Sequence, residues 1–382
     1  MSHPPPRTAG VLRVLALAPY PEGAPSTRYR IVQMLPALRG LGIEVTLHPV
    51  VSAADYPAVR RRGALAVAAL ARSARNLSAV LDTAGSYDAV LVQRGMSLLR
   101  DRAHLPRLAR AGVPLLFDFD DAVFLPQPGG SRWLEALRNP GGTTEALCRA
   151  AARVLAGNAY LADFARSAVG PAEEGRVRVV PTAVDTSDLV PRERVGSLPT
   201  LGWVGSDTTV PYLESLAPAL RRLTEVVPHR LLVVGGSRRP RLPGATFEFA
   251  PWSAEREAEL IGSMDVGLYP LDDTPWSRGK CGFKALQYLA CGVPCVASPV
   301  GVLREIVRPG VTGLHAVGED EWVESCARLL SGAEERRRMG EAGRTLVEER
   351  YSVARVAPLV AAAVHAAVGA GSFAATPERR SR

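Results

Sequence analysis

Short apolar runs recur along this chain. Between them lie longer stretches in which apolar residues return every three or four positions. Alternation of this kind marks parallel strands joined by amphipathic helices. In the first half, Leu12–Ala18, Glu44–His48, Ala89–Gln93, Pro114–Phe119, Arg153–Ala156 and Val177–Pro181 read as strands. A helix is expected from Thr27 to Leu41, opened by Ser26-Thr27 as N-cap residues and stopped by Gly40 and Gly42. The rhythm pauses between Pro181 and Pro199, where proline and aspartate accumulate as in a linker. A second series follows: strands at Thr200–Val204, Leu231–Val234, Thr246–Phe249, Val266–Tyr269, Cys295–Ser298 and Gly313–Ala316. Helices fit between them at Val210–Val226, Ala254–Ser263, Phe283–Ala290 and Asp320–Leu330.

Two series of this kind predict an α/β protein of two Rossmann-like, doubly wound domains facing a cleft. The first spans residues 1–185 and the second 195–350, with a helix at 353–368 returning to the first and a disordered tail at 369–382. A length of 382 residues agrees with two domains. With 47% hydrophobic and 22% charged residues, the chain is neither mainly disordered nor membrane-spanning. Five scattered cysteines favour a reducing, cytoplasmic setting, and neither they nor the six histidines fall in a metal-ligand spacing. No nucleic-acid-binding pattern appears.

Charge changes the picture more. The net charge of +8 makes anionic partners, including an anionic membrane surface contacted peripherally, a reasonable expectation. Of 46 basic residues only two, Lys280 and Lys284, are lysine. They flank the start of the helix at Phe283, where the macrodipole is already positive and each cation costs ~0.3–1 kcal/mol. An anion should offset them, and a diphosphate suits two compact ammonium groups together with free helix amides. At the end of the strand at Val204, Gly205 lets the backbone approach a ligand, while Ser206 and the free amides of the next helix suit a phosphate. In the first half, a buried strand ends in Asp118, Asp120 and Asp121, which repel one another unless a ligand or an arginine balances them. Arg28, Arg30 and Arg94 lie at strand-exit loops of the same half, placed either to pair with these acids or to receive an acceptor.

The segment Gly279 to Gly301, with Gly202–Ser206, Asp185 and Ser26–Arg30, resembles glycosyltransferase family 4, whose fold is GT-B. The resemblance implies a retaining, metal-independent transfer of a sugar from a nucleotide-diphosphate donor to an acceptor hydroxyl. The second domain would bind the nucleotide sugar, and the first a carbohydrate, lipid-linked or small-molecule acceptor. No cofactor beyond the donor substrate is implied. Gly205, Ser206, Lys280 and Lys284 match phosphate-contacting positions, with Cys281, Gly282 and Phe283 in the same donor-binding segment. Gln287 matches the position that holds the ribose hydroxyls. Asp120 stands at the sugar side as a catalytic residue, with Asp121, Arg28, Arg30 and Arg94 toward the acceptor. The family's pair of glutamates is replaced by Gly279 and Gln287, a departure that keeps two alternatives in view: a sugar-nucleotide epimerase and a catalytically silent sugar-nucleotide-binding protein.

Overall fold

The computed structural model describes residues 10–61, 64–96, 101–127, 135, 138–192 and 197–370; of the tail expected at 369–382, residues 371–382 lie outside them, while Gly369 still belongs to the last helix. The chain divides into two compact units, Met1–Ala183 with Val356–Arg382, and Val184–Arg355.

Unit 1 is built on six strands: β1 (Leu12–Ala18), β2 (Ile43–Pro49), β3 (Ala89–Gln93), β4 (Leu115–Phe119), β5 (Arg153–Ala156) and β6 (Val177–Val179). They pair in parallel in the order β2-β1-β3-β4-β5-β6. β3 and β4 are buried at every position, as a parallel strand covered on both faces must be. Strand order reverses between β1 and β3, so the loops after Ala18 and Gln93 flank the switch point.

The helix expected over Thr27–Leu41 is instead broken into α1 (Pro25–Arg30), a 3-10 turn at Val32–Met34, and α2 (Leu35–Gly40). Pro36 is the reason, because it has no N–H to give Val32 and its ring clashes with that carbonyl. The Leu35 N–H bonds to Val32 instead, in the tighter turn. Nor do Ser26 and Thr27 cap α1. Pro25 opens it behind Ala24, and the Thr27 hydroxyl donates to the Tyr20 carbonyl at 2.9 Å.

Unit 2 carries β7 (Thr200–Val204), β8 (Arg230–Gly235), β9 (Glu248–Pro251), β10 (Val266–Tyr269), β11 (Cys295–Ala297) and β12 (Gly313–His315). The order is β12-β11-β10-β7-β8-β9, again with every pairing parallel. Its switch point falls between β7 and β10. These two strands share only the pairs Val266–Leu201 and Gly267–Gly202, then part. The helix expected over Val210–Val226 is two, α3 (Val210–Glu214) and α4 (Ala217–Val226), each with proline in its first turn. Pro218 breaks the continuous helix for the same reason as Pro36. α5 (Phe283–Ala290) stands where the periodicity placed it. The final helix, α6 (Val353–Gly369), belongs to unit 1 from Val356 onward.

Among the described residues, no helix is long and apolar enough to cross a membrane. All five cysteines are buried and unpaired with one another, and burial pushes the thiols of Cys148, Cys291 and Cys326 up to about 12.

Candidate functional site

In unit 2 the candidate site gathers where β7 and β10 part. Gly205 follows β7 directly, and a Cβ there would lie 2.1 Å from the Trp203 ring and 2.7 Å from Thr209 Oγ1. Only glycine fits this turn. Two amides of the loop are engaged: Gly205 N–H bonds to the Val234 carbonyl, and Ser206 N–H to Thr209 Oγ1 at 3.0 Å. Ser206, expected to hold a phosphate together with the amides of the next helix, has its own amide engaged, and its hydroxyl sits 2.9 Å from that of Thr208.

The stronger feature is Lys284, in the first turn of α5. Its Nζ donates to Thr209 Oγ1 at 3.0 Å and lies 5.0 Å from the centre of the Trp203 ring and 5.6 Å from that of Tyr269. Among the described residues no carboxylate pairs with it. Burial, and after it the neighbouring Lys280 charge, lower the Lys284 amine to about 7. An aromatic seat attracts a cation through the ring quadrupoles, but two rings and one hydroxyl do not replace the water this amine has lost. An incoming anion would. Lys280 is half-buried, its amine 5.9 Å from the Trp276 ring centre.

α5 begins at Gly282, whose left-handed φ of 70° and absent side chain leave the first-turn amides without a side-chain cap. A Cβ there would meet Ile306 at 2.5 Å. The helix start beside Cys281, Gly282 and Phe283 thus lies, without a side-chain cap, next to the Lys284 amine. Gln287, one turn on, is 2% exposed, and among the described residues its Nε2 has no hydrogen-bond partner. A buried polar atom left without a partner calls for an explanation, and an acceptor on a bound ligand is one.

Four groups at this centre are not legible from motif reasoning. Thr209 receives Lys284, Trp203 and Tyr269 seat it, and the Tyr288 hydroxyl bridges the parted strands, accepting Val204 N–H at 2.8 Å and donating to the Leu268 carbonyl at 3.2 Å. As sequence, the three aromatics read simply as core. The strand-end position of Trp203 and Tyr269 is the signal that could have singled them out.

In unit 1 the acids at the end of β4 are balanced by arginines rather than by an absent ligand. Arg30, 2% exposed, holds Asp118 through Nε at 2.8 Å and Nη2 at 2.6 Å, and its Nη1 reaches the Pro181 carbonyl at 2.8 Å. A guanidinium so buried and so engaged cannot receive an acceptor, and its role is structural. Phe117 and Phe119 stack 5.1 Å apart on one face of the strand, which sends Asp118 to the other. Arg94 pairs with Asp120 at 2.6 Å and stands 3.7 Å from Asp121. Burial works to raise the Asp120 carboxyl, but Arg94 and Arg30 outweigh it and hold the carboxyl below its usual range. Asp120 is therefore an ionised hydrogen-bond acceptor, poorly suited to taking a proton.

Arg94 adopts a φ of 59°, one of two non-glycine residues among those described in the left-handed region. Strain of this sort, about 1–3 kcal/mol, gathers at functional sites. Gln93 beside it is fully buried, with Nε2 bonded to the Ser26 carbonyl at 2.8 Å and Oε1 without a partner among the described residues. Arg28 is half-buried, its guanidinium 5.2 Å from the Tyr29 ring. Among the described residues no three His, Cys, Asp or Glu side chains converge as a metal would need.

A family model described as "Glycosyl transferases group 1" matches residues 198–332, within unit 2. The D-inositol 3-phosphate glycosyltransferase of Mycobacterium sp. (strain KMS) is 28% identical over 184 residues, 42% of this chain and 40% of that protein. The matched part spans less than half of that relative's length. Among solved structures, sucrose-phosphate synthase from Thermosynechococcus elongatus superposes with a TM-score of 0.68 at 17% identity, covering 94% of this chain and all of that one. Anabaena HepE in complex with UDP and glucose gives 0.65 at 15% identity, covering 93% and 99%. At such identities the likeness shows the fold, and the fold is GT-B.

Proposed function

We propose that this chain is a glycosyltransferase moving a sugar from a nucleotide-diphosphate donor to an acceptor hydroxyl. One observation carries the reading: the Lys284 amine, half-desolvated on Trp203 and Tyr269 at the switch point of unit 2, has no carboxylate partner among the described residues. A diphosphate supplies the missing charge, and Lys280 with the uncapped start of α5 adds to its hold. As the bond from the anomeric carbon to the diphosphate oxygen breaks, negative charge grows on the leaving group. Groups fixed beforehand stabilise it without reorganising. The acceptor oxygen bonds to the anomeric carbon, and its proton leaves with the diphosphate.

Retention of configuration and independence of metal belong to the same proposal. In unit 1, ionised Asp120, held by Arg94, is suited to orienting a hydroxyl through a hydrogen bond. Asp121, Arg28 and Arg94 are the remaining acceptor candidates, and a carbohydrate, lipid-linked or small-molecule acceptor fits this chemistry. Gln287 would meet the ribose of the donor through its amide, unpartnered among the described residues.

Because Anabaena HepE is seen in complex with UDP and glucose, UDP-sugars head the test, followed by GDP- and dTDP-sugars. Donor binding is read by thermal shift, and the product by mass spectrometry with candidate acceptors. Transfer or slow donor hydrolysis, lost about a hundred- to thousand-fold in a Lys280→Ala, Lys284→Ala variant, is the expected result. A changed sugar nucleotide released without an acceptor would indicate an epimerase instead. Binding with no turnover under any condition would indicate a silent binding protein, and undiminished turnover in the variant would refute the site.

A further inference from the structure

Tyr288 lies one residue beyond Gln287 in α5 and is wholly buried. Its surroundings are specific. β7 and β10 stop pairing after Gly202 and Gly267, so Val204 and Leu268 lie beyond the last paired residues of the two strands. The Tyr288 hydroxyl joins them, accepting from Val204 at 2.8 Å and donating to Leu268 at 3.2 Å. The ring needs the space that Gly267 leaves, since a Cβ there would lie 2.5 Å from two of its carbons. Both bridged residues adjoin a wall of the Lys284 seat: Val204 follows Trp203, and Leu268 precedes Tyr269. A phenylalanine would fill the same volume, so the hydroxyl is what ties the strand ends at this separation.

We propose that Tyr288 is a positioning residue whose hydroxyl fixes the gap between β7 and β10, and so holds Trp203 and Tyr269 at the spacing on which the Lys284 amine is seated. The inference rests on the transferase reading for its purpose, but not for its test. Without the hydroxyl, two buried backbone groups lose their partner and must draw in water or shift. Either change loosens the dry seat and lets water reach the amine.

The charged and titratable groups around Lys284 are few. Lys280 acts on it by charge, Tyr269 flanks it from β10, and Tyr288 stands one turn on in α5. Cys295 of β11 lies behind Tyr288, and Thr209 contributes a neutral hydroxyl. Rehydration is therefore the main route by which the amine changes.

The experiment exploits the two lysines of the chain. Protein labelled with 13C-lysine gives two side-chain signals, and a Lys280→Arg variant assigns them. In the wild type the Lys284 signal should titrate near 7. In Tyr288→Phe it should move up by at least about one pH unit toward the ordinary lysine value, with the Lys280 signal almost unchanged. Gly267→Ala, which displaces the ring and keeps the hydroxyl, should move Lys284 in the same direction. Sucrose in the buffer favours the folded state should either variant be weak.

A Lys284 titration unmoved in both folded variants overturns the proposal, because a tyrosine of merely structural role would lower stability and leave the amine alone. If the amine moves but the wild type binds no nucleotide diphosphate, the positioning stands and the transferase reading fails. If the wild type transfers sugar and the amine does not move, the reverse holds.

Discussion

A lysine seated without a counter-charge should make the ligand-free protein less stable, and this can be measured. The perturbation is Lys284→Met, which keeps an unbranched apolar stem over Trp203 and Tyr269 and removes the charge. Thr209 is not orphaned by the change, since its hydroxyl still accepts from Ser206 N–H and donates to the Ser206 carbonyl. The amine stands at about 7 in the fold against an ordinary 10.5. At ~1.4 kcal/mol per tenfold change this interval corresponds to about 5 kcal/mol. Lys284 is only half-buried, and water screens part of that, so about 2–3 kcal/mol is the expected penalty.

The sign follows from proton linkage. A base whose folded value is depressed has no penalty above 10.5. Stability is lost as pH falls through the window from 10.5 to 7, and the loss is complete below 7, because the unfolded chain binds the extra proton throughout that window. Lys284→Met should therefore be more stable than the wild type near pH 7, and the advantage should shrink by about half at pH 9. Denaturant unfolding followed by tryptophan fluorescence is the assay. Trp203, Trp252, Trp276 and Trp322 all belong to unit 2 and only Trp133 to unit 1, so the signal reports the unit concerned. Nucleotide diphosphate binding should at the same time fall at least tenfold. In the wild type at pH 8, that binding should take up close to one proton, seen by calorimetry in two buffers of different ionisation heat. A variant less stable than the wild type at pH 7, with no pH trend in the difference, would refute the idea of an ammonium held against its preference.

Arg30→Met leaves the Asp118 carboxyl buried without its partner and should cost about 3–5 kcal/mol, read as a lower melting transition by circular dichroism; Arg30→Met with Asp118→Leu should recover much of the loss. A single variant within 1 kcal/mol of the wild type would contradict the structural role given to Arg30. Gly205→Ala forces a methyl onto the Trp203 ring at 2.1 Å and should weaken nucleotide binding at least tenfold with a stability loss of about 1–3 kcal/mol. Retained affinity would mean that the loop is not part of the site.

Much of the framework is legible in the sequence. Leu12–Ala18, Ala89–Gln93, Arg153–Ala156, Thr200–Val204 and Val266–Tyr269 are read residue for residue, because continuous apolar runs bounded by polar or turn residues have few other conformations that bury them. The helix Phe283–Ala290 and the singular pair of lysines at its start are likewise visible, since composition alone marks two Lys among 44 Arg. The broken helices at Pro36 and Pro218 were written in the sequence too, but the apolar period ran across each proline and hid the stop.

What only the tertiary structure decided is adjacency. Periodicity tells which face of an element is apolar; it does not tell which strand lies beside which. β7 and β10 meet through a reversal of strand order, and that crossing brings Trp203, Thr209, Tyr269, Lys284 and Tyr288 to one point. Arg30 finds Asp118 across 88 positions of chain for the same reason. Local pattern fixes the elements because burial is a local demand. The charge balance of a site depends on contacts between distant segments, and these exist only once the sheets have closed.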